Sequence, residues 1–157
     1  MTNKKIWLGM LVMVLAFGMT VVGCEEEDED SGDTNYLDTF NFSNSSPTSA
    51  ALSAGGLTQT QFTQIRDAAG GGFLGWALDD DGYGGQNLMM VWTGRSVSNF
   101  TTVATLLNSL FTQKYTDNDS DSRGVSGDNY SLDIYTNEVR GGGFYMSAGT
   151  MMAQFSK

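Results

Sequence analysis

Near its start the chain has an apolar stretch, residues 6–22, which is broken only by Gly9, Gly18 and Thr20. After an acidic run, the pattern continues as short apolar segments separated by polar turns. The first helical signal of the later region lies at Thr58, which fits a capping box with Gln61. Leu57 and Phe62 fit the hydrophobic staple that accompanies such a helix start. We therefore predict a helix that begins after Thr58 and ends at the glycines of 70–72.

A second predicted helix follows a serine cap, at Ser96 or Ser98, and has the clearest helical period in the chain. Its apolar face comprises Phe100, Val103, Ala104, Leu107, Leu110 and Phe111. The opposite face carries no charge and comprises Asn99, Thr101, Thr102, Thr105, Asn108, Ser109, Thr112 and Gln113. We interpret this uncharged face as solvent-exposed, with a contact surface as the alternative.

Five further segments have the pattern of strands. Residues 36–42 alternate sufficiently for a first strand, and residues 73–78 and 88–93 form a hairpin about the turn-rich sequence DDDGYGGQN. The apolar run at 88–93 does not alternate, which is typical of a central strand covered on both faces. Residues 130–135 alternate as a half-buried strand, and residues 144–155 form one bent strand or two short ones.

The resulting order is βαββαββ, which favours an α+β fold, an antiparallel sheet with two helices packed on one face. We predict a loop over 43–56 and an Asp-rich polar loop over 116–129. The roughly 120 residues of 36–157 suffice for one apolar core and not for two, so we predict a single small domain.

The charged residues alter this interpretation mainly for the segment that precedes the domain. The chain contains 18 acidic and 8 basic residues. Residues 25–33 contain a dense run of these acids, which repel one another and predict an extended, solvated spacer. The chain has no basic cluster, so we expect no nucleic-acid partner.

The chemistry open to the domain is restricted by two residue types. The chain has no histidine and a single cysteine, Cys24. This composition excludes disulfides, imidazole metal ligands and the Ser-His-Asp and Cys-His forms of catalysis. We therefore expect a domain that is not an enzyme, although mechanisms that use serine, threonine or carboxylates remain open.

The amino-terminal apolar stretch has the layout of a secretory signal. Lys4 and Lys5 precede the apolar residues 6–22, and small and acidic residues follow. An uncleaved transmembrane anchor is the alternative, because the stretch approaches the ~20 residues that span a bilayer. The sole cysteine, Cys24, stands where a bacterial lipobox has its cysteine, and this resemblance favours the cleaved signal.

The residues Val21, Val22, Gly23 and Cys24 resemble the lipobox of bacterial lipoproteins, in the loose form found in spirochaetes. The resemblance implies transfer of a diacylglyceryl group to the Cys24 thiol, cleavage after Gly23 and acylation of the new amino terminus. It divides the chain into a lipoprotein signal peptide at 1–23, a lipidated cysteine with an acidic tether at 24–35, and the domain at 36–157.

The resemblance also implies a location and a first partner. We expect an exported protein that is anchored in the lipid bilayer through acylated Cys24, on the periplasmic or cell-surface face of a bacterial membrane. For the domain we expect a binding or structural role toward an unknown protein or envelope component.

The strongest candidate for metal chemistry is the Asp-rich loop. The alternate spacing of Asp117, Asp119 and Asp121 directs three carboxylates at one hard cation, and Asp128 stands at the twelfth position. The spacing partly resembles an EF-hand loop, although Ser122 replaces the usual glycine and Asp128 the usual glutamate. We predict no cofactor other than calcium, and a calcium-stabilised envelope module is the first alternative function. A solvated acidic loop without metal explains the same residues.

A second acidic group lies in the predicted hairpin turn. Asp79, Asp80 and Asp81 precede Gly82, which is typical of turn chemistry because Asp bonds its own backbone. Alternatively, one of these residues faces another carboxylate across a groove and acts in acid–base catalysis. This alternative predicts a carboxylate-dependent polysaccharide hydrolase.

Overall fold

A computed structural model describes residues 33–80 and 82–157. The predicted signal peptide at 1–23, Cys24 and Asp81 lie outside the described residues. The helices are α1 (Ser49–Ala54), α2 (Gln59–Ala68) and α3 (Val97–Leu110), and a 3-10 helix spans Tyr36–Thr39. The strands are β1 (Thr34–Asn35), β2 (Phe73–Asp80), β3 (Gln86–Trp92), β4 (Gln113–Asn118), β5 (Ser122–Gly127), β6 (Tyr130–Tyr135), β7 (Val139–Gly141), β8 (Phe144–Met146) and β9 (Met151–Phe155).

Six strands form the main sheet in the order β2-β3-β9-β6-β5-β4, and every neighbouring pair is antiparallel. The carboxy-terminal strand β9 lies between β3 and β6 and joins the two hairpins into one sheet. A separate small sheet has the order β1-β8-β7, in which β1 is parallel to β8. The fold is therefore a strand-rich α+β fold.

One face of the main sheet is covered by the helices. Phe62 of α2 and Leu107 of α3 join Trp92, Leu132 and Phe155 of the sheet in one buried cluster. Ala51 of α1, Phe100, Val103, Leu88, Ile134 and Met151 belong to the same cluster. Helices α1, α2 and α3 thus all contribute to this core, which we call the helical face of the sheet.

The opposite face of the sheet carries a smaller apolar cluster. Met89 and Val91 of β3 point away from the helical face, as successive residues of a strand do. They pack with Leu37 of the 3-10 helix, Met146 of β8 and Met152 of β9. The 3-10 helix and the small sheet therefore form a third layer, on the side of the sheet away from the helices.

The caps predicted for both longer helices are present. The Thr58 side chain accepts from the backbone N–H of Gln61 and the Gln61 side chain accepts from that of Thr58, and Ser96 and Asn99 form the same reciprocal pair. The Arg95 guanidinium donates to the carbonyl of Ala69 at 3.1 Å, which satisfies a free acceptor at the end of α2. These two helix predictions are confirmed.

Several strand predictions are also confirmed. Residues 73–80 and 86–92 form the expected hairpin, and Leu88 to Trp92 are buried on both faces of β3. Strand β6 alternates buried and half-buried residues as expected. The segment 144–155 forms two strands, β8 and β9, rather than one bent strand.

Other predictions of strands and loops are wrong, and the order of helices and strands along the chain differs from βαββαββ. Residues 36–39 form a 3-10 helix instead of a strand, because the Asn35 side chain caps it by accepting from the backbone N–H of Leu37 at 3.0 Å. The loop predicted over 116–129 contains most of the β4–β5 hairpin, and the loop over 43–56 contains α1. Residues 34–35, assigned to the tether, pair with β8.

One edge of the main sheet is partly covered. Ser43 exchanges two backbone hydrogen bonds with Trp76 of β2, of 2.9 and 2.8 Å. Gly75 permits this contact, because a Cβ there would lie 2.8 Å from the Ser43 carbonyl oxygen. The other edge, β4, is exposed along most of its length. Within residues 33–80 and 82–157, no helix is long and apolar enough to cross a membrane.

Candidate functional site

The face of the sheet away from the helices changes from apolar to polar between its two halves. The apolar cover lies over Ala77, Met89, Val91 and Met152. Strands β6, β5 and β4 instead present small or polar residues on this face, most of them partly exposed. We call this region the open half-face; its residues are Tyr115, Asp117, Ser122, Gly124, Ser126, Ser131 and Asp133.

Two carboxylates lie in one row of the open half-face, where a row is a set of residues paired side by side across neighbouring strands. Gly124 of β5 pairs with Asp133 of β6 on one side and with Asp117 of β4 on the other. The two aspartates therefore stand on strands separated by one strand, with backbones about 10 Å apart. A Cβ at Gly124 would lie 2.5 Å from Oδ1 of Asp133, so the Asp133 carboxylate leans over the glycine toward Asp117.

The surroundings of Asp133 favour its neutral form. Burial, together with the smaller effect of the negative charge of Asp117, raises the pKa of the Asp133 carboxyl to about 6. Within the described residues, no hydrogen bond or cation offsets these two effects on the pKa. Asp133 therefore exchanges a proton in the weakly acidic range, where an ordinary Asp is already fully ionised.

Two tyrosines continue the group of titratable side chains from Asp133 toward β2. Burial raises the pKa of Tyr135, and the charge of Asp133 adds to this effect. Burial likewise raises the pKa of Tyr36, and the charge of Asp79 adds to it. The side chain of Gln154 donates to Asp79 at 3.1 Å. We call Asp79, Tyr36, Tyr135, Asp133 and Asp117 the acid–tyrosine cluster.

The cluster offers hydrogen-bond acceptors and two hydroxyl groups at the boundary between the open half-face and the apolar cover. Asp133 accepts a proton at weakly acidic pH and returns it at neutral pH, whereas the tyrosines keep their protons throughout this range. Among residues 33–80 and 82–157, no three Asp, Glu, Cys or His side chains are grouped so as to hold a metal ion. The arrangement therefore supports hydrogen bonding and proton exchange.

The four residues predicted to bind calcium do not lie together. Asp119 and Asp121 flank Ser120 in the β4–β5 turn, and the Ser120 hydroxyl contacts both carboxylates. Asp117 lies on β4 with the acid–tyrosine cluster, and Asp128 forms an ion pair with Lys114 at the far end of the hairpin. A calcium ion bound at this turn would therefore not be coordinated by Asp128.

The second predicted acidic group divides between the sheet and the turn. Asp79 is half-buried on β2 and belongs to the acid–tyrosine cluster. Burial raises the pKa of its carboxyl, although a hydrogen bond from the backbone N–H of Asp80 opposes this effect. The Asp80 side chain accepts from the backbone N–H of Gly82 at 2.8 Å, as expected for turn chemistry.

The uncharged face of α3 is exposed, and its hydroxyls bond mainly to their own helix. Thr101, Thr102 and Thr105 each donate to the carbonyl four residues earlier, at 2.8 to 3.0 Å. This face consequently presents methyl groups and few free donors. Beyond the end of α3, Phe111, Thr112, Asp128 and Asn129 line a shallow cavity of about 110 Å³.

Sequence reasoning did not identify Asp133 or Gly124 as site residues. Asp133 alternates with Leu132 and Ile134, which indicated only that it points away from the core. Its proximity to Asp117 follows from the pairing of β4, β5 and β6, and two of these strands, β4 and β5, overlap the predicted loop. Comparisons with models of protein families, with curated proteins and with solved structures found no match.

Proposed function

We propose that the protein is an exported lipoprotein, held by acylated Cys24 on the periplasmic or cell-surface face of a bacterial membrane. The support is the order of basic, apolar and lipobox-like residues that ends at Cys24. Two or three acyl chains, each contributing about 0.8 kcal/mol per buried methylene, would hold the protein stably. The acidic residues after Cys24 would keep the domain clear of anionic headgroups.

We further propose that the domain is a binding module, not an enzyme, and that the open half-face contacts its partner. The observation that carries this proposal is the position of Asp133, held half-buried beside Asp117. A carboxylate in such a position lowers stability at neutral pH, and residues of this kind concentrate at functional sites. The partner would be another protein or an envelope component that offers hydrogen-bond donors or positive charge.

A charge placed at the centre of the open half-face tests the binding proposal. We expect Ser126→Lys to abolish capture of the partner when the mature protein is used in pull-downs from envelope extracts. Thr105→Lys adds the same charge on the exposed face of α3 and is the matched control, which should leave capture unchanged. Equal capture by both variants and the parent would remove the open half-face as the binding surface.

The anchor has a separate test. Mass spectrometry of the full-length protein, expressed in a bacterial host, should show loss of residues 1–23 and the added mass of acyl chains on Cys24. Cys24→Ser should abolish both changes and leave an intact, unacylated chain. An intact Met1 or a free Cys24 thiol in the parent protein would contradict the proposal.

A carboxylate-dependent polysaccharide hydrolase is the second candidate, and one observation favours it. Asp133 is the acid of a pair whose partner, Asp117, lies on the same row of the sheet. Pairs of carboxylates with different proton affinities are the usual catalytic groups of glycosidases. If this candidate is correct, release of sugars from envelope polysaccharide should be lost in both Asp133→Asn and Asp117→Asn. Unchanged release in either variant would exclude this pair.

A further inference from the structure

The first described residues of the chain are fixed to the β7–β8 hairpin. The backbone N–H of Thr34 donates to the carbonyl of Gly143 at 2.9 Å, and Thr34 pairs with Phe144 in the small sheet. Asp33 forms an ion pair with Arg140, with 3.0 Å between Oδ2 and Nη1. The chain therefore joins the folded domain at the turn of this hairpin.

Arg140 is held in place for this contact by two further neighbours. Its Nε atom lies 2.7 Å from Oε1 of Glu138, and its guanidinium carbon lies 5.4 Å from the centre of the Tyr145 ring. The guanidinium thus has an acidic partner on each side and an aromatic ring beneath it. Residue 33 is consequently part of the hairpin surface.

The hairpin and the helices lie on opposite sides of the main sheet. Met146 of β8 packs on Met89 and Met152, whereas Leu107 of α3 packs on residues of the helical face. Packed layers of secondary structure are separated by about 10 Å, so the small sheet and the outer helices are about 20 Å apart. Val139 and Phe144, which are exposed apolar side chains, also belong to the hairpin.

The length of chain between Cys24 and the hairpin limits where a lipid surface can be. Nine residue steps separate Cys24 from Asp33, and a chain of this length reaches at most about 30 Å. We infer that the layer formed by β1, β7 and β8 faces the lipid surface and that α2 and α3 face away from it. This inference rests on the proposed lipid anchor. It places the uncharged face of α3 on the side remote from the membrane.

Single-cysteine variants of the lipidated full-length protein test this orientation, because acylation of Cys24 leaves no other thiol. Gly141→Cys places a donor fluorophore on the hairpin, where a Cβ meets no atom within 4 Å. Thr105→Cys places the same fluorophore on the exposed face of α3. Val139→Cys is a second hairpin position, for use if Gly141→Cys does not fold. The proteins are reconstituted into phosphatidylcholine vesicles that contain an acceptor-labelled lipid.

We expect energy transfer to the lipid to be roughly twofold more efficient from residue 141 than from residue 105, given the separation of the layers. Equal transfer from both positions, or more efficient transfer from residue 105, would overturn the orientation. Mass spectrometry of the same samples distinguishes failure of the orientation from failure of the proposed anchor. Acylated Cys24 with equal transfer rejects the orientation alone, whereas a free Cys24 thiol rejects the proposed anchor and the orientation with it.

Discussion

The two faces of the main sheet are built from the same strands but have different chemistry. On the helical face, Tyr130, Leu132 and Ile134 of β6 are all buried among apolar side chains. On the other face, Ser131 and Asp133 of the same strand remain partly exposed. The helical face therefore provides most of the apolar burial that stabilises the fold. The open half-face retains a carboxyl group that reduces stability, and this contrast supports the binding role proposed for that face.

The largest expected effect comes from making a cavity on the helical face. Leu132→Ala should lower the free energy of unfolding by about 2–5 kcal/mol, because Leu132 is fully buried between α3 and neighbouring strands. Ser131→Ala changes the adjacent residue on the open half-face and should alter the free energy by less than about 0.5 kcal/mol. Urea unfolding of both variants measures the contrast, and similar losses would contradict the division between the faces.

The next effect is a gain in stability. Asp133→Asn should raise the free energy of unfolding at pH 7 by about 2 kcal/mol, because the parent must keep a half-buried carboxyl ionised well above its pKa of about 6. Protonated Asp133 stabilises the fold fully below about pH 4, and this contribution is lost as the pH rises through 6.

Urea unfolding between pH 4 and 7 measures this effect as the difference between the parent and Asp133→Asn. The difference should be small at pH 4 and largest at pH 7. Asp38→Asn removes a carboxylate from an exposed position and should show a difference of no more than about 0.5 kcal/mol throughout. A constant difference for Asp133→Asn would show that Asp133 does not titrate in this range.

A substitution with a smaller expected effect tests the contact between Gly124 and Asp133. Gly124→Ala places a Cβ 2.5 Å from Oδ1 of Asp133, so this flexible carboxylate must move toward solvent. We expect a fall in the pKa of Asp133 toward its usual value, because the displaced carboxyl is less buried. NMR titration of the Asp133 carboxyl measures the pKa. Gly141→Ala, which meets no atom within 4 Å, should leave that pKa unaltered.

The smallest expected effect is that of calcium. A weak site at the β4–β5 turn, with a dissociation constant near the calcium concentration, would stabilise the fold by only about 0.4 kcal/mol. Calorimetry with and without calcium should therefore show a shift in melting temperature of no more than about 2 °C, abolished in Asp121→Asn. A much larger shift would show that calcium draws the separated carboxylates together.

The elements that were predicted from sequence have local signals. The caps of α2 and α3 need only residues three positions apart, such as Thr58 with Gln61 and Ser96 with Asn99. The buried strand β3 is evident from its uninterrupted apolar residues. Such signals need no knowledge of the rest of the fold.

The β4–β5 hairpin was not predicted because its order comes from distant pairing. Strand β4 is an exposed edge, so its residues are polar on both faces and show no alternation. It pairs with β5, and β5 pairs with β6, which belongs to the central part of the sheet. Asp117 was consequently assigned to a metal-binding loop, and its position beside Asp133 could not be inferred.

The attachment of the chain at the β7–β8 turn also has a mechanical consequence. If the domain were pulled by the chain that precedes residue 33, the load would first reach the Asp33–Arg140 ion pair and the two residue pairs between β1 and β8. The six-stranded sheet would carry load only afterwards. Detachment of residues 33–39 would add about 20 Å of chain while the helical face stayed intact. Such a domain lengthens before it unfolds, a property that would suit the proposed attachment through Cys24.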